Sequence, residues 1–242
     1  MDKKVKEHYD NHLADFYSWM IGDFDKEKES FMVFCHKNEV KPFKTGIAID
    51  LGAGSGIQSI ALGEIGFKVK AVDFNEKLLS ELKSRIGGLQ IELIKDDILN
   101  VKSITNLSVD LITCCGDTIS HLETFKQLDR LFQDCYDLLE VSGKLILSFR
   151  DYSVALSDTQ RFIPVKSDEE RILTCVIDYY DEKITVTDLL HEKTNGVWTQ
   201  KISSYEKLRV RTDSVINRAE TVGFSVDFNE KISRMIYLIL KK

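Results

Sequence analysis

No stretch of 18 or more apolar residues occurs in the sequence, so no membrane-spanning helix is expected. The N-terminus, Met1-Asp2-Lys3-Lys4-Val5-Lys6, lacks the apolar run of a secretion signal, and a cytoplasmic location is expected. Positive charge is not in excess. Lys and Arg number 33 against 39 Asp and Glu, a net charge of −6, which argues against holding a nucleic-acid backbone by bulk electrostatics. No nucleic-acid or membrane partner is expected. The five cysteines, Cys35, Cys114, Cys115, Cys135 and Cys175, are odd in number and form no CxxC pair, so they read as reduced thiols, mostly small core residues. Adjacent Cys114 and Cys115 alternate faces on a strand and cannot readily share a metal. His8 and His12 have a metal spacing on a predicted helix but no third ligand, and no metal site is expected. Repeats and low-complexity tracts are absent.

What is present centres on Ala48-Ile49-Asp50-Leu51-Gly52-Ala53-Gly54-Ser55-Gly56. Ile47 to Leu51 read as a strand buried on both faces, and Ile57, Ile60, Ala61, Leu62 and Ile65 follow at helical spacing. Strand, glycine turn and helix open a βαβ unit. Glycines permit positive φ and close approach of a ligand to the backbone, while the amides of the next helix point at it. A dinucleotide fold wants its third glycine or alanine three residues after the second, to pack helix on strand and leave room for a pyrophosphate. That position is Ile57. The third glycine comes two residues after the second, and Asp50 precedes the first. An acid repels a phosphate and attracts an ammonium, so the turn suits a nucleotide-like ligand that carries an amine.

The acid-x-Gly-x-Gly-x-Gly pattern resembles the first motif of the class I S-adenosylmethionine-dependent methyltransferases, with Asp50, Gly52, Gly54 and Gly56 at its fixed positions and Ala53 within it. The resemblance implies S-adenosylmethionine as the cofactor and an α/β fold, a doubly wound, mostly parallel seven-stranded sheet. Lys68 to Asp73 form a second strand, and Asp73 at its end can accept both ribose hydroxyls. Phe74 reads either as a ring against adenine or as a core residue, and Asn75 as a helix cap. A third strand, 89–94, leads to Lys95-Asp96-Asp97-Ile98. The resemblance puts an acid here on the adenine amino group and the next apolar residue on the base, favouring Asp97 with Ile98 over Asp96. The fourth strand ends at Cys114, which the resemblance sets beside the cofactor.

Gly116-Asp117-Thr118 with His121-Leu122 is similar to the loop of methyltransferases acting on glycine and sarcosine. Asp117 then orients a substrate amine, unless Asp117 and Thr118 only cap a helix. Arg150-Asp151-Tyr152 after the fifth strand resembles the Arg-Asn-Tyr of the same relatives, whose arginine holds a substrate carboxylate. A guanidinium fork suits that task, but Asp151 is an acid where the relatives carry an amide and can instead pair with Arg150. Asp117, Arg150 and Tyr152 are the candidate catalytic residues.

Residues 1–42 read as a helical cap, with Leu13, Phe16, Tyr17 and Met20 in one stripe and Phe31, Val33, Phe34 and Cys35 in a second. Tyr9 and Tyr17 are candidate lid residues, against the plainer reading of an amphipathic helix packed on the domain. From about 160 to 211 the pattern alternates with period two, and Asn195-Gly196 marks a hairpin, so an antiparallel insert is expected. Thr212 or Asp213 caps the last helix, and two strands close the chain. Residues 45–150 and 212–242 form the cofactor-binding core, and 1–242 read as one methyltransferase domain. The expected reaction is in-line transfer of a methyl group to a small molecule, needing alignment and desolvation and no metal. Two alternatives stay open. One is a protein that binds the cofactor without transferring methyl. The other is a methyltransferase of RNA or protein, disfavoured by the acidic balance and by the lack of Asn-Pro-Pro-Tyr or Asp-Pro-Pro-Tyr after strand four.

Overall fold

The computed structural model describes residues 3–242, so the first two residues of the expected cap lie outside it. In chain order the elements are α1 (Lys3–Asn11), α2 (Tyr17–Ile21), α3 (Phe24–Lys37), β1 (Ile47–Leu51), α4 (Ile57–Ile65), β2 (Lys68–Asp73), α5 (Glu76–Arg85) and β3 (Ile91–Lys95). Then come α6 (Val101–Ile104), β4 (Val109–Cys114), α7 (Phe125–Leu138), β5 (Leu139–Phe149), β6 (Phe162–Ser167), β7 (Arg171–Tyr179), β8 (Lys183–Thr194), β9 (Val197–Leu208), α8 (Thr212–Val222), β10 (Ser225–Ile232) and β11 (Met235–Lys241). No helix among the described residues is long and apolar enough to cross a membrane.

Seven strands make one sheet in the order β10-β11-β5-β4-β1-β2-β3, parallel except where β11 pairs antiparallel with β5 and β10. The central strands are largely apolar, as a sheet covered on both faces requires: β4 is buried at every position. One face packs Leu128, Leu131, Phe132 and Cys135 of α7 and Val215 and Ala219 of α8; the other packs Phe31, Phe34 and Cys35 of α3 and Ala61 and Leu62 of α4. The order reverses at β1, whose neighbours are β2 and β4, and ligands of open α/β sheets bind at the carboxyl ends of such strands. The four remaining strands form a second, antiparallel sheet, β6-β7-β8-β9.

Local departures from the pattern have local causes. The cap breaks into short pieces: a 3₁₀ turn at Leu13–Asp15 separates α1 from α2, and Gly22, at φ +102, ends α2. Its stripe survives because Leu13 and Phe16 bury against Leu173 and Leu190 of the second sheet. Val33, read as part of the second stripe, is exposed. Strand β6, which Pro164 obscured, adds an edge to the insert, where a missing N–H is tolerated. Strand β5 starts at Leu139, directly after α7, and the expected turn appears within it as Ser142 at φ +71. The cap of α8 is neither Thr212 nor Asp213. Asp151 Oδ2 accepts from Thr212 N–H at 3.0 Å and from the Thr212 hydroxyl.

Asp110, in β4, ties the cap-to-core connection to the sheet. Its carboxylate accepts from the N–H groups of Phe43, Lys44, Thr45 and Gly46 and from the Thr45 hydroxyl, all at 2.9–3.0 Å. Burial pushes its pKa up, but the amides of Lys44, Thr45, Phe43 and Gly46 outweigh that and hold it at about 2. A folded pKa below the unfolded value of about 3.9 contributes about 2.5 kcal/mol, fully present above about pH 5 and lost as pH falls towards 2. Asp110→Ala is expected to lose about 3 kcal/mol in urea unfolding at neutral pH. The loss should shrink steadily between pH 5 and 2; an equal deficit at both ends would assign it to packing instead.

Candidate active site

The glycine turn after β1 is built by its own backbone. Gly52 and Ala53 N–H both donate to Val72 O, at 2.9 and 3.0 Å, and Gly56 N–H donates to Ala53 O. Gly52 sits at φ +74 with Thr118 2.6 Å from where a Cβ would lie, and Gly56 at φ +100 with Leu82 at 2.2 Å. Both need glycine for conformation and for space. Gly54 N–H donates to Asp73 Oδ2 and Asn75 N–H to Oδ1, each at 2.8 Å. Asp73 is therefore locked against the turn, and burial raises its pKa against the pull of these amides. An ionised carboxylate retains further lone pairs for two hydroxyl donors.

Asp50 behaves differently from its expected role against a ligand ammonium. Its Oδ2 accepts from Ser59 Oγ at 2.6 Å and its Oδ1 from Thr113 Oγ1 at 2.7 Å. It is 1% exposed, and burial pushes its pKa up to about 6 despite these bonds. Asp50 braces β1, α4 and β4 beneath the turn. Cys114 is equally far from a ligand role, buried in the core with Ile49, Ile112 and Leu147 and lining neither of the two cavities at this sheet edge.

The first of these cavities, about 30 Å³, is bounded by Gly52, Gly54, Asp73, Phe74, Ile98 and Thr118. Asp97 caps the turn that presents Ile98, accepting from Leu99 N–H at 3.0 Å. Tyr9 and Tyr17 close it from outside: Tyr9 meets Phe74 edge-on at 5.4 Å, and the Tyr17 ring lies 3.5 Å from where a Gly54 Cβ would be. A carboxylate with spare lone pairs, an apolar slot at Phe74 and Ile98 and an open glycine backbone fit a nucleoside. The volume is small because Tyr9 and Tyr17 pack into it.

The second cavity, about 1230 Å³, runs from beneath the insert along the carboxyl ends of β4 and β5 and out between α3 and the β10–β11 hairpin. Asp117 is its hub, at φ +72 and buried. Its Oδ1 accepts from Arg150 N–H at 3.0 Å, and its Oδ2 from Tyr152 OH at 2.9 Å and Lys207 Nζ at 2.8 Å. Burial raises the Asp117 pKa, but the Lys207 charge and hydrogen bond, with Arg150 nearby, outweigh it and lower the net value. The carboxylate is thus engaged by the protein, and the helix-cap alternative also fails, since no side chain caps the following turn. Asp151 points to α8, so the Arg150–Asp151 pair does not form. Among the described residues the Arg150 guanidinium makes no hydrogen bond or ion pair, and Arg150 lines the cavity.

Sequence reasoning missed Lys207, Tyr205, Asp188 and His8, although period-two alternation in β8 and β9 marks which side chains face inward. His8 Nε2 lies 3.2 Å from Asp188 Oδ2, and His8 Nδ1 2.7 Å from Ser203 Oγ. This pairing docks α1 on the insert. Tyr205 stacks on His8 at 4.1 Å and on His121 at 5.7 Å. His121 Nε2 lies 3.3 Å from Tyr9 OH, and burial, then the Lys207 charge, keeps its imidazole neutral by pushing its pKa well down. Tyr9, Tyr17, Gly116 and His121 line both cavities, which therefore adjoin there.

Residues 48–143 match the profile of the methyltransferase domain family. A 112-residue segment is 29% identical to the glycine/sarcosine N-methyltransferase of Aphanothece halophytica, covering 46% of this chain and 42% of that protein. The match spans about two fifths of the length of these curated relatives. The solved S-adenosylmethionine-dependent methyltransferase of Clostridium acetobutylicum ATCC 824 superposes with a TM-score of 0.74 at 19% identity, over 98% of this chain and 97% of that one. CalS10 of Micromonospora echinaspora, an amino pentose methyltransferase solved with its cofactor bound, superposes at 0.76 and 11% identity, over 95% and 96%. Identities this low speak for the fold alone. Residues 48–143 are thus similar to the methyltransferase domain family, and the chain carries the fold of the solved S-adenosylmethionine-dependent methyltransferases.

Proposed function

We propose that the chain methylates a small molecule bearing a carboxylate. The observation that carries this reading is the adjoining of two cavities at Tyr9 and His121, one ending on Asp73 and the other holding an unpaired guanidinium. When bound, the cofactor supplies a methyl group already activated on a sulfonium, so the protein has mainly to align the acceptor and exclude water. Asp73 takes the ribose hydroxyls, Phe74 and Ile98 flank the base, and Asp97, at the head of the turn presenting Ile98, takes the adenine amino group. Arg150 pairs with the acceptor carboxylate through its fork of donors. Asp117 and Tyr152 act one step back: the carboxylate fixes the Arg150 backbone and the Tyr152 hydroxyl, which sets where the guanidinium points. Lys207 keeps Asp117 ionised. His121, kept neutral at the junction, sets no cation against the sulfonium. The site lies under the insert and the cap, which suits a small acceptor better than a folded RNA or protein.

Two measurements test this. Calorimetry should show binding of S-adenosylmethionine and S-adenosylhomocysteine and none of NAD, with Asp73→Ala weakening the former at least tenfold, since hydrogen bonds to a charged acceptor contribute about 1.5–3 kcal/mol each. Parent-like affinity in a folded Asp73→Ala protein would reduce Asp73 to a turn residue. In Lys207→Met, Asp117 remains buried without its cation and takes up a proton at a higher pH. The acid limb of the activity profile should move to higher pH, and Lys207→Arg should restore it. An unshifted limb with lowered activity would make Lys207 a purely structural contact.

A further inference from the structure

The larger cavity is far bigger than a glycine-sized acceptor requires, and its walls are not uniform. The inward-facing side chains of the insert divide into two groups. Towards α1 lie the polar ones, Asp188, Tyr205 and Lys207, all engaged with partners or rings already described. The apolar ones, Ile163, Val165, Ile177 and Val186 of β6, β7 and β8, also line the cavity, Val165 on the side of the cap. Ile177 pairs with Val186 across β7 and β8, and Ile163 sits opposite Cys175 across β6 and β7, with Tyr205 and Asp188 next in those rows. Arg150 lines the same cavity, and its side chain is exposed rather than packed into the core. An unpaired cation and an aliphatic patch therefore line one cavity, the usual make-up of a site for a small ligand with one polar end.

Resting on the methyltransferase reading, we propose that the acceptor is an amino or hydroxy acid with a large apolar side chain. The carboxylate meets Arg150, the nucleophile faces the junction at Tyr9 and His121, and the side chain lies on Ile163, Val165, Ile177 and Val186. Selection for size follows from burial alone, since each methylene moved from water to this wall favours binding about fourfold. The guanidinium fixes the polar end for every member of such a series, so the wall alone discriminates among them.

The test is calorimetry of glycine, alanine, norvaline, norleucine and phenylalanine against the full chain saturated with S-adenosylhomocysteine. Affinity should climb several-fold per methylene from alanine to norleucine, with glycine weakest. Arg150→Ala should weaken every member to a similar degree. Ile163→Trp, at a half-buried position where a larger ring fills the space without emptying the core, should weaken norleucine and phenylalanine tenfold or more and leave alanine unchanged. A flat series, glycine binding as tightly as norleucine, or no amino acid binding at all would overturn the proposal. Titration of S-adenosylhomocysteine alone reports separately on the reading beneath it: its failure to bind would sink the methyltransferase assignment, whereas binding followed by a flat series would sink only the size selection.

Discussion

The active site hangs on one buried carboxylate. Asp117, in a left-handed backbone conformation after β4, is reached by a donor from the β5 loop, a hydroxyl two residues further on and an ammonium from the insert. Such an ion is tolerated away from water only when paired and hydrogen-bonded, and removing one partner of a buried pair typically costs about 3–5 kcal/mol. The constraint works both ways. Arg150 and Tyr152 are held where they are because Asp117 needs them, and the insert is held over the sheet edge because Lys207 must reach it. The free guanidinium is the one group of this arrangement left to face a ligand.

A parallel arrangement, one strand away, organises the cofactor side. Asp50 and Asp73 end adjacent strands and are both withdrawn from solvent, yet they have different tasks. Asp50 spends its oxygens on Ser59 and Thr113, tying three elements together under the turn. Asp73 accepts only backbone amides, from Gly54 and Asn75, and stays on the cavity wall with capacity to spare. Burial raises the pKa of each, disfavouring the ionised form, and the hydrogen bonds each accepts work against that.

The cap joins the two sides. Helix α1 rests on the insert through His8 and Asp188 and on the core through Asp10 and Asn75, at 2.9 Å. Its tyrosine at position 9 thereby spans Phe74 on the cofactor side and His121 on the acceptor side. Tyr9 and Tyr17 are therefore walls common to both cavities.

Local sequence was enough to determine the strand, glycine turn and helix, the acid ending β2, the hairpin at Asn195-Gly196 and the alternation of the insert. In each case the information lies within a few residues: glycine spacing sets backbone conformation, and hydrophobic period sets which face is buried. The class of cofactor followed from the same short-range pattern. Tertiary structure alone decided which oxygen of which acid is free. Asp50, Asp73 and Asp117 look alike in sequence, each near the end of a strand or following one, and only the arrival of Ser59 and Thr113, of Gly54, or of Lys207 from 90 residues away separates a brace under the turn, an acid on the wall of the smaller cavity and an acid tied to the insert. Cys114 was misread for the same reason, since a strand-end residue faces a ligand or the core according to what packs on it. The freedom of Arg150 was likewise undecidable from its neighbour Asp151, because that carboxylate is drawn away by the amide at the start of α8, a partner 61 residues distant that no local pattern reveals.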